Sequence, residues 1–290
     1  MRDSEWRFTA IGTQWVISGA APLPDSTRDR VRAAMDEYDL IYSRFRDDSV
    51  VSRLAREGGT AQLPAHAVPL LELYERLYEL TGGAMTPLVG GALERLGYDA
   101  DYTLVPHGAP SPAPALAQTM RRNGRRIALS APASIDVGAA GKGQLVDLVT
   151  DALASEGARE FTVDAGGDLR VERAEPVPVA LEHPADPTLA VGVVSLAAGR
   201  GAIAGSAINR RAWGDGLHHV VDGRTGLPVH DVVASWAIAA TAMLADAAAT
   251  ALFFLPGPVV QRELGVDWVT VLPEGRMLCS AGLREGMFFE

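Results

Sequence analysis

The sequence predicts an α+β fold in which antiparallel sheets pack against helices. After residue 126 short strand-like runs alternate with few long helices, which is typical of antiparallel pairing. Earlier in the chain, Asp25–Tyr42 has apolar residues at three- and four-residue intervals, which predicts a helix. The stretch Ser235–Leu255 begins as an apolar strand and continues as an Ala-rich segment of high helix propensity.

The remaining elements follow from local signals along the chain. Ser49 is the expected cap of a short helix that Gly58-Gly59 closes, and Val105–Pro114 is a Pro-rich, exposed connection. Another amphipathic helix is predicted at Val68–Leu80. The predicted strands are Trp6–Ile17, broken at Gly12-Thr13, Arg126–Leu129, Phe161–Arg170 with a turn at Gly166-Gly167, Val191–Leu196 and Gly201–Ser206.

Composition excludes several classes of function. The 290 residues carry a formal net charge of -10 without a basic block, which argues against nucleic-acid binding. Cys279 is the only cysteine, so an internal disulfide and a thiolate metal cluster are excluded. Asp246 interrupts the longest apolar run, so we expect no membrane span. The N-terminus shows no signal peptide or lipobox, so we expect a soluble, cytoplasmic protein; export by a trimmed leader is left open.

Two polar residues stand out in the Ala-rich part of Ser235–Leu255. Asp246 and Thr250 are four residues apart, so they share one face of the predicted helix. Lone polar side chains are costly to bury unpaired, and a carboxylate with a hydroxyl supplies the oxygen ligands that Mg²⁺ or Ca²⁺ accepts. The alternative is a helix-to-loop hydrogen bond, with Thr250 bonding back to a carbonyl of its own helix. The two residues alone leave both open.

The segment Ile135–Leu153 is predicted to be a strand that turns through glycines into a helix. Gly138, Gly141 and Gly143 allow close approach of a ligand, and the first turn of the helix presents unpaired N–H groups that attract anions. Lys142 adds a cation. The spacing fits neither a P-loop nor the Rossmann pattern. A phosphate site and a tight structural turn remain equal alternatives here.

Adjacent histidines precede an acidic turn later in the chain. His218 and His219 adjoin a predicted strand, so their side chains should face opposite ways and only one should enter a site. A histidine beside Asp222 can act as a general base or as a charge-stabilising donor. The alternative is a pair of turn-stabilising histidines.

Eight short motifs cover nearly the whole chain. They are IGT at 11–13, SRF at 43–45, GAMTP at 83–87, DVGAAGKG at 136–143, GGD at 166–168, GSA at 205–207, HHVVDGRTG at 218–226 and ADAAATA at 245–251. In this order they resemble the pattern of the FAD:protein FMN transferase (ApbE) family. The resemblance implies a T-fold-related α+β fold, forming a single domain over 1–290 that can comprise two subdomains meeting at the FAD site. It also implies FAD and Mg²⁺ as ligands, and transfer of FMN to a Thr or Ser hydroxyl of an acceptor protein with release of AMP.

The resemblance also assigns site residues. The implied metal ligands are the Asp246 and Thr250 side chains and the backbone carbonyl of Gly141, where the family usually has Ala. His219, or else His218, would act on the acceptor hydroxyl or the leaving phosphate, with Asp222 orienting it. Asp136 would pair with Lys142 or with ribose, and Phe45 would stack on the isoalloxazine ring. The implied FAD-binding residues are Phe45, Asp136, Lys142, Gly166, Gly167, Asp168, Ser206 and Thr225.

Several positions depart from the family pattern. Thr86 replaces an Asp, Gly205 and Ala207 flank the retained Ser206, and Ile11 replaces a Met. Gly223 replaces a Pro, which predicts a more flexible turn. The metal and phosphate motifs match better than those on the flavin and acceptor side. Two alternatives therefore stay open beside the transferase: Mg²⁺-dependent hydrolysis of FAD to FMN and AMP, and FAD binding without catalysis.

Overall fold

The structure, a computed structural model, describes residues 4–288 of the chain. Over these residues the α-helices are α1 (Asp25–Tyr42), α2 (Val50–Glu57), α3 (Ala67–Leu80), α4 (Gly90–Arg95), α5 (Leu116–Thr119), α6 (Gly141–Ser155), α7 (Ala242–Ala251) and α8 (Gly257–Leu264). The strands are β1 (Ser4–Ala10), β2 (Thr13–Gly19), β3 (Gly59–Gln62), β4 (Met120–Asn123), β5 (Arg126–Leu129), β6 (Phe161–Asp164), β7 (Asp168–Arg173), β8 (Val177–His183), β9 (Asp186–Leu196), β10 (Gly199–Ala207), β11 (Ala212–Trp213), β12 (Leu217–His218), β13 (Val221–Asp222), β14 (Leu227–Pro228), β15 (Ala234–Ala239), β16 (Asp267–Val271) and β17 (Met277–Cys279).

The chain forms two compact units. Unit 1 consists of Met1–Asp36, Ala139–Asn209 and Asp231–Glu290, and unit 2 consists of Glu37–Gly138 and Arg210–His230. The predicted arrangement of one domain whose subdomains meet at FAD stays a prediction.

Unit 1 is built on an antiparallel sheet. Its strand order is β1-β2-β6-β7-β10-β15-β16-β17, and every neighbouring pair is antiparallel. The predicted break at Gly12-Thr13 is the tight turn between β1 and β2, where Ile11 has φ +44° and Gly12 has φ +72°. A core cluster joins this sheet to the β8–β9 hairpin through buried aliphatic side chains that include Leu181, Leu196 and Ile203.

The stretch Ser235–Leu255 forms strand β15 and helix α7, as predicted. Helix α7 packs against α6, β10 and β15. Six of its alanines are fully buried, which lets the helix approach its neighbours closely. Among the described residues, no helix is long and apolar enough to cross a membrane.

Unit 2 is smaller and carries the helices α2 to α5 with short sheets. Its three-stranded sheet has the order β3-β5-β4. Ser49 caps α2, since its hydroxyl accepts the Ser52 N–H at 3.0 Å, and this confirms the predicted cap. A core cluster brings Leu93, Leu96, Tyr98 and Trp213 together.

One predicted strand is wrong. Residues 132–137 form no regular strand; the Asp136 N–H instead donates to the Pro87 carbonyl at 2.8 Å in an irregular segment. The apolar alternation around Ile135 comes from burial of Ile135 and Val137, each less than a tenth exposed, and not from sheet pairing. The exposed connection at Val105–Pro114 and the strand Arg126–Leu129 are confirmed.

The N-terminus of α7 is held by a carboxylate from α6. Asp147 accepts the backbone N–H groups of Ala242 and Met243, each at 2.9 Å, and forms an ion pair with the buried Arg170. Because these contacts cap the helix that carries Asp246, Asp147 fixes that helix relative to α6 within unit 1.

We therefore expect Asp147→Ala to lower the free energy of unfolding by about 2–4 kcal/mol, since it removes the acceptor of two N–H groups of α7 and one of the two carboxylate partners of the buried Arg170. Chemical denaturation measures this change. Asp215→Ala, which removes an exposed carboxylate, should stay within about 0.5 kcal/mol of the parent protein. Equal effects of the two substitutions would contradict the prediction.

Candidate functional site

In unit 1 the glycine turn and the Ala-rich helix lie against each other. The Gly143 N–H, in the first turn of α6, donates to Asp246 Oδ2 on α7 at 3.0 Å. Lys142 Nζ lies 2.5 Å from Asp168 Oδ2 and 3.4 Å from Asp246 Oδ1. We call Lys142, Asp168 and Asp246 the Lys142 cluster.

A tight turn brings Asp168 to this cluster. Strands β6 and β7 are joined through Gly166 and Gly167, whose φ values of +67° and +112° favour glycine. The Gly167 N–H donates to Asp164 Oδ1 at 3.0 Å, and the Ala165 N–H donates to the Asp168 carbonyl at 2.9 Å. The predicted turn is confirmed, and it places Asp168 at the start of β7.

The Lys142 cluster carries more negative than positive charge. Asp168 and Asp246 are each 1% exposed, and one lysine lies between them. Burial and the nearby charge of Asp246 raise the pKa of Asp168 to about 7, against the opposing effect of Lys142. A further cation would relieve this repulsion.

The donor set beside the cluster fits a hard divalent cation. One turn after Asp246, Thr250 Oγ1 lies 3.4 Å from Ser206 Oγ on β10. Carboxylate, hydroxyl and carbonyl oxygens are the ligands that Mg²⁺ accepts, together with substrate phosphates. Within residues 4–288 no group of three or more His, Cys, Asp or Glu side chains could hold a metal. A metal here would therefore depend on hydroxyl, backbone and substrate oxygens.

The contacts of Asp246 and Thr250 bear on the two alternatives for this pair, a metal site and a structural hydrogen bond. Asp246 accepts the Gly143 N–H in the first turn of α6, so this hydrogen bond joins two helices and is not the helix-to-loop bond of the structural alternative. Thr250 faces Ser206. Since Asp246 Oδ1 also faces Lys142, the carboxylate is placed both to hold the α6 turn and to face a charged group.

Asp136 is held by a residue that is not among the predicted site residues. In unit 2 its Oδ2 accepts from Arg44 Nε at 2.6 Å and its Oδ1 accepts from the Gly138 N–H at 2.6 Å. Burial opposes ionisation, but the charge of Arg44 and these hydrogen bonds lower the pKa of Asp136 below its usual value. Lys142 contacts Asp168 and Asp246, and the pairing of Asp136 with Lys142 or with ribose stays a prediction.

Phe45 belongs to an aromatic group in unit 2. Its ring stacks on Tyr102 with centroids 4.9 Å apart and meets Tyr98 edge-on at 5.4 Å. The guanidinium carbon of Arg44 lies 4.2 Å from the Phe45 ring centroid. Flat apolar rings next to a cation suit a planar ligand.

The two histidines differ in exposure, as their alternation predicts. His218 is 2% exposed, its Nδ1 accepts the Val220 N–H at 3.3 Å, and its ring lies 5.2 Å from that of His230. Burial lowers the pKa of His218 to about 4, so it is neutral at pH 7. His219 is half-buried.

Asp222 and Thr225 lie in the turn that follows the histidines. The Asp222 carboxylate is held by Arg224, through Nε at 3.0 Å, Nη2 at 2.6 Å and the backbone N–H at 2.8 Å. Arg224 is thus a partner of Asp222, and the orienting of a histidine by Asp222 stays a prediction. The Thr225 hydroxyl accepts the Leu227 N–H at 3.2 Å, so it stabilises this turn.

Two departures from the family pattern contact each other. A Cβ added to Gly223 would lie 2.6 Å from Thr86 Cγ2 and 3.0 Å from the Ala84 carbonyl. The Gly223 N–H donates to Ala84 at 2.9 Å and its carbonyl accepts the Ala113 N–H at 2.8 Å. The space beside Gly223 thus has no room for a side chain, and the greater flexibility expected of this turn stays a prediction, although both backbone groups of Gly223 are hydrogen-bonded. A side chain at position 205 would also be crowded, since a Cβ added to Gly205 would lie 2.8 Å from Trp236 Nε1.

We expect Gly223→Ala to lower the free energy of unfolding by about 1–3 kcal/mol, because the new methyl group overlaps Thr86. Thr86→Ser removes the overlapping Cγ2 and keeps the hydroxyl that accepts the Leu88 N–H. The double variant should therefore recover part of the loss, with a coupling of at least about 0.5 kcal/mol in a denaturation cycle. Simple additivity would contradict this explanation.

The structure groups the predicted residues into one set in each unit. Unit 1 holds Gly141, Lys142, Gly166, Gly167, Asp168, Ser206, Asp246 and Thr250; unit 2 holds Phe45, Asp136, His218, His219, Asp222 and Thr225. Sequence reasoning missed Asp147 and Arg44 as positioning residues. Arg44 lies inside the SRF motif at 43–45. Its charge between a serine and an aromatic residue is the sequence signal that could have identified it.

Comparison with known proteins agrees with this fold and these motifs. The model of the ApbE family matches residues 11–264. The protein thus has the fold and the motif set of a flavin transferase family. The chain belongs to the ApbE family.

Curated relatives carry the name FAD:protein FMN transferase. The protein from Treponema pallidum (strain Nichols) is 28% identical over 297 residues, covering 88% of this chain and 79% of that protein. The protein from Rhodobacter capsulatus is 31% identical over 223 residues, covering 70% of this chain and 42% of that one. The protein from Escherichia coli (strain K12) is 27% identical, covering 90% and 82%.

Solved structures confirm the predicted α+β, ApbE-like fold. The crystal structure of the ApbE protein from Thermotoga maritima superposes with a TM-score of 0.84 at 25% identity, covering 99% of this chain and 100% of that chain. The flavin transferase ApbE from Vibrio cholerae gives a TM-score of 0.79 at 20% identity, covering 98% and 99%. The latter likeness concerns the fold alone.

Proposed function

We propose that this protein transfers the FMN part of FAD to a threonine or serine hydroxyl of an acceptor protein and releases AMP. Family membership supports this class of reaction. The observation that carries the proposal is the Lys142 cluster, in which the start of α6 and the middle of α7 meet around Lys142, Asp168 and Asp246. This arrangement offers a cation, backbone N–H groups and oxygen ligands where a diphosphate can bind.

The reaction is a phosphoryl-type displacement. The acceptor oxygen forms a bond to the phosphorus on the FMN side, and the bond from that phosphorus to the bridging oxygen breaks. AMP leaves with the bridging oxygen, and the hydroxyl proton passes to a base. Catalysis of this kind consists mostly of positioning and of neutralising charge.

Residues of unit 1 would hold the diphosphate and a metal. Lys142 and the first turn of α6 would bind phosphate oxygens, while Asp246, Thr250 and the Gly141 carbonyl would hold Mg²⁺. When bound, Mg²⁺ neutralises phosphate charge and orients the leaving group. Gly166, Gly167, Asp168 and Ser206 would line the nucleotide. The net negative charge of the cluster supports a divalent cation at this place.

Residues of unit 2 would serve the flavin and the acceptor. Phe45 would stack on the isoalloxazine ring, and Asp136, which is held by Arg44, would bind the nucleotide. His219 is the better candidate for contact with the acceptor hydroxyl, because its side chain is half-buried whereas His218 is 2% exposed. Asp222 and Thr225 would shape the turn beside it.

Mass spectrometry tests this function directly. The protein is incubated with FAD, Mg²⁺ and a candidate acceptor protein, and all species are weighed. An acceptor that gains the mass of one FMN, with AMP released, is the expected result. The same acceptor with its Thr or Ser replaced by Ala, and a reaction with EDTA, are controls that should show no transfer.

Two other outcomes would replace the proposal. Free FMN and AMP with an unmodified acceptor would indicate FAD hydrolysis with water as the acceptor. Intact FAD bound to the protein would indicate a flavin-binding protein without catalysis. Both outcomes are read from the same sample.

A further inference from the structure

Arg44 is a buried guanidinium with unsatisfied donors. The residue is 8% exposed, and its Nε donates to Asp136 Oδ2 at 2.6 Å. Its Nη1 and Nη2 are also buried, and neither has a hydrogen-bond partner among residues 4–288. Buried charged donors are costly to leave unpaired, and such groups usually bind something. Arg44 is thus placed to donate to a group that the described residues do not supply.

The surroundings of Arg44 define what can bind there. Its guanidinium carbon lies 4.2 Å from the ring centroid of Phe45 and 4.8 Å from that of Tyr98. Tyr102 stacks on Phe45 and is 48% exposed. Flat aromatic faces therefore adjoin a planar fork of N–H donors. A flat heteroaromatic ring with oxygen acceptors on its edge has the matching chemistry.

The charge balance favours a neutral acceptor. Asp136 already offsets the charge of Arg44 through the Nε contact. The other nearby cation, Arg211, donates to the Tyr98 hydroxyl. A carbonyl edge can use the two free amino groups of Arg44 without needing a full negative charge in return.

We propose that Arg44 is a ligand-binding residue, whose two outer amino groups donate to the carbonyl oxygens of the isoalloxazine ring of FAD. This inference rests on the proposed function, because it takes FAD as the ligand. The family motif that matches Ser43-Arg44-Phe45 assigns no role to its middle residue. The inference gives Arg44 such a role. A purely structural role, neutralising Asp136, would need only one positive charge, and lysine supplies that charge.

The test compares Arg44→Lys with the parent protein. Lysine keeps a charge for Asp136 but loses the planar fork. Binding is measured by fluorescence titration with lumiflavin, which is the ring without phosphate, with FMN and FAD, and with ADP. We expect about tenfold weaker binding of lumiflavin, FMN and FAD, unchanged binding of ADP, and a shifted absorption band of the bound flavin. Arg122→Lys is the matched control, since it likewise keeps the charge and loses the two-point hydrogen bonding of a guanidinium, here to Glu75 in the same unit, and it should change no affinity.

The possible outcomes separate this inference from the proposed function. If FAD binds and Arg44→Lys binds every ligand like the parent, the inference is overturned while the function stands. Weaker binding of FMN and FAD with unchanged lumiflavin would place Arg44 on phosphate and overturn it too. A parent protein that binds no flavin overturns both.

A test on the parent protein avoids any loss of folding in the variant. Lumiflavin analogues with sulfur in place of a ring carbonyl oxygen are weaker acceptors. At least one of them should bind about tenfold more weakly than lumiflavin. Equal affinity for all of them would overturn the inference.

Discussion

Replacing Asp246 with asparagine is expected to lower the rate of FMN transfer by about 10³-fold or more, because the proposed Mg²⁺ site would lose its carboxylate and with it several kcal/mol of charge stabilisation. Asparagine is preferable to alanine for this purpose. The Gly143 N–H donates to Asp246 Oδ2, and the amide oxygen can still accept that hydrogen bond. Transfer is measured by mass spectrometry at increasing Mg²⁺, with the melting temperature as a check of the fold.

The control for this variant is a neutralised carboxylate elsewhere in unit 1. Asp267→Asn changes a residue whose side chain accepts from Gln261 at 3.3 Å near the surface, and it should leave transfer unchanged. Wild-type transfer by Asp246→Asn, with the same dependence on Mg²⁺, would remove the argument for a metal on α7. A matching loss in Asp267→Asn would assign the effect to net charge.

Gly143→Ala is the second substitution with a large expected effect, on both folding and activity. A Cβ at this position would lie 2.1 Å from the Ala242 carbonyl and 2.8 Å from Asp246 Cβ. Both atoms belong to α7, so the helices must separate and the hydrogen bond to Asp246 is lost. We expect the free energy of unfolding to fall by about 2–3 kcal/mol, measured by chemical denaturation, together with a loss of transfer.

Gly91→Ala is the matched control, because Gly91 also lies in a helix but has no atom within 4 Å of the added Cβ. That substitution should stabilise the protein by about 0.5–1 kcal/mol, since alanine is the better helix former. If Gly143→Ala were equally stabilising, the close contact between α6 and α7 would be wrong.

Much of the fold could be predicted because its signals are local. The cap at Ser49, the turn at Gly166-Gly167 and the strand-to-helix change in Ser235–Leu255 each follow from neighbouring residues. The strand prediction at Ile135 is wrong because it also relied on a local signal. Alternating burial is the pattern of a strand, but here the backbone bonds to Pro87 in an irregular segment.

The sequence could predict which residues carry the chemistry of the candidate site. It could not predict which side chains those residues contact. Lys142, six residues away, or ribose was the expected partner of Asp136, and no sequence signal pointed to its contact with Arg44, which is 92 residues distant in the chain. Likewise Asp222 is bound by Arg224. Ion pairs depend on how distant segments pack, and a single sequence carries no signal of that packing. The reason for Gly223 became visible only when Thr86 was found beside it.

The order of the strands in unit 1 affects how the chain folds as it is translated. Strand β2 can pair with β6, and β10 with β15, only after the later strand has been made, so pairing joins segments that are not adjacent in sequence. Such long loop closures slow folding. Strand β15 and helix α7 with Asp246 are translated after β10, so this edge of β10 stays unpaired until they have followed.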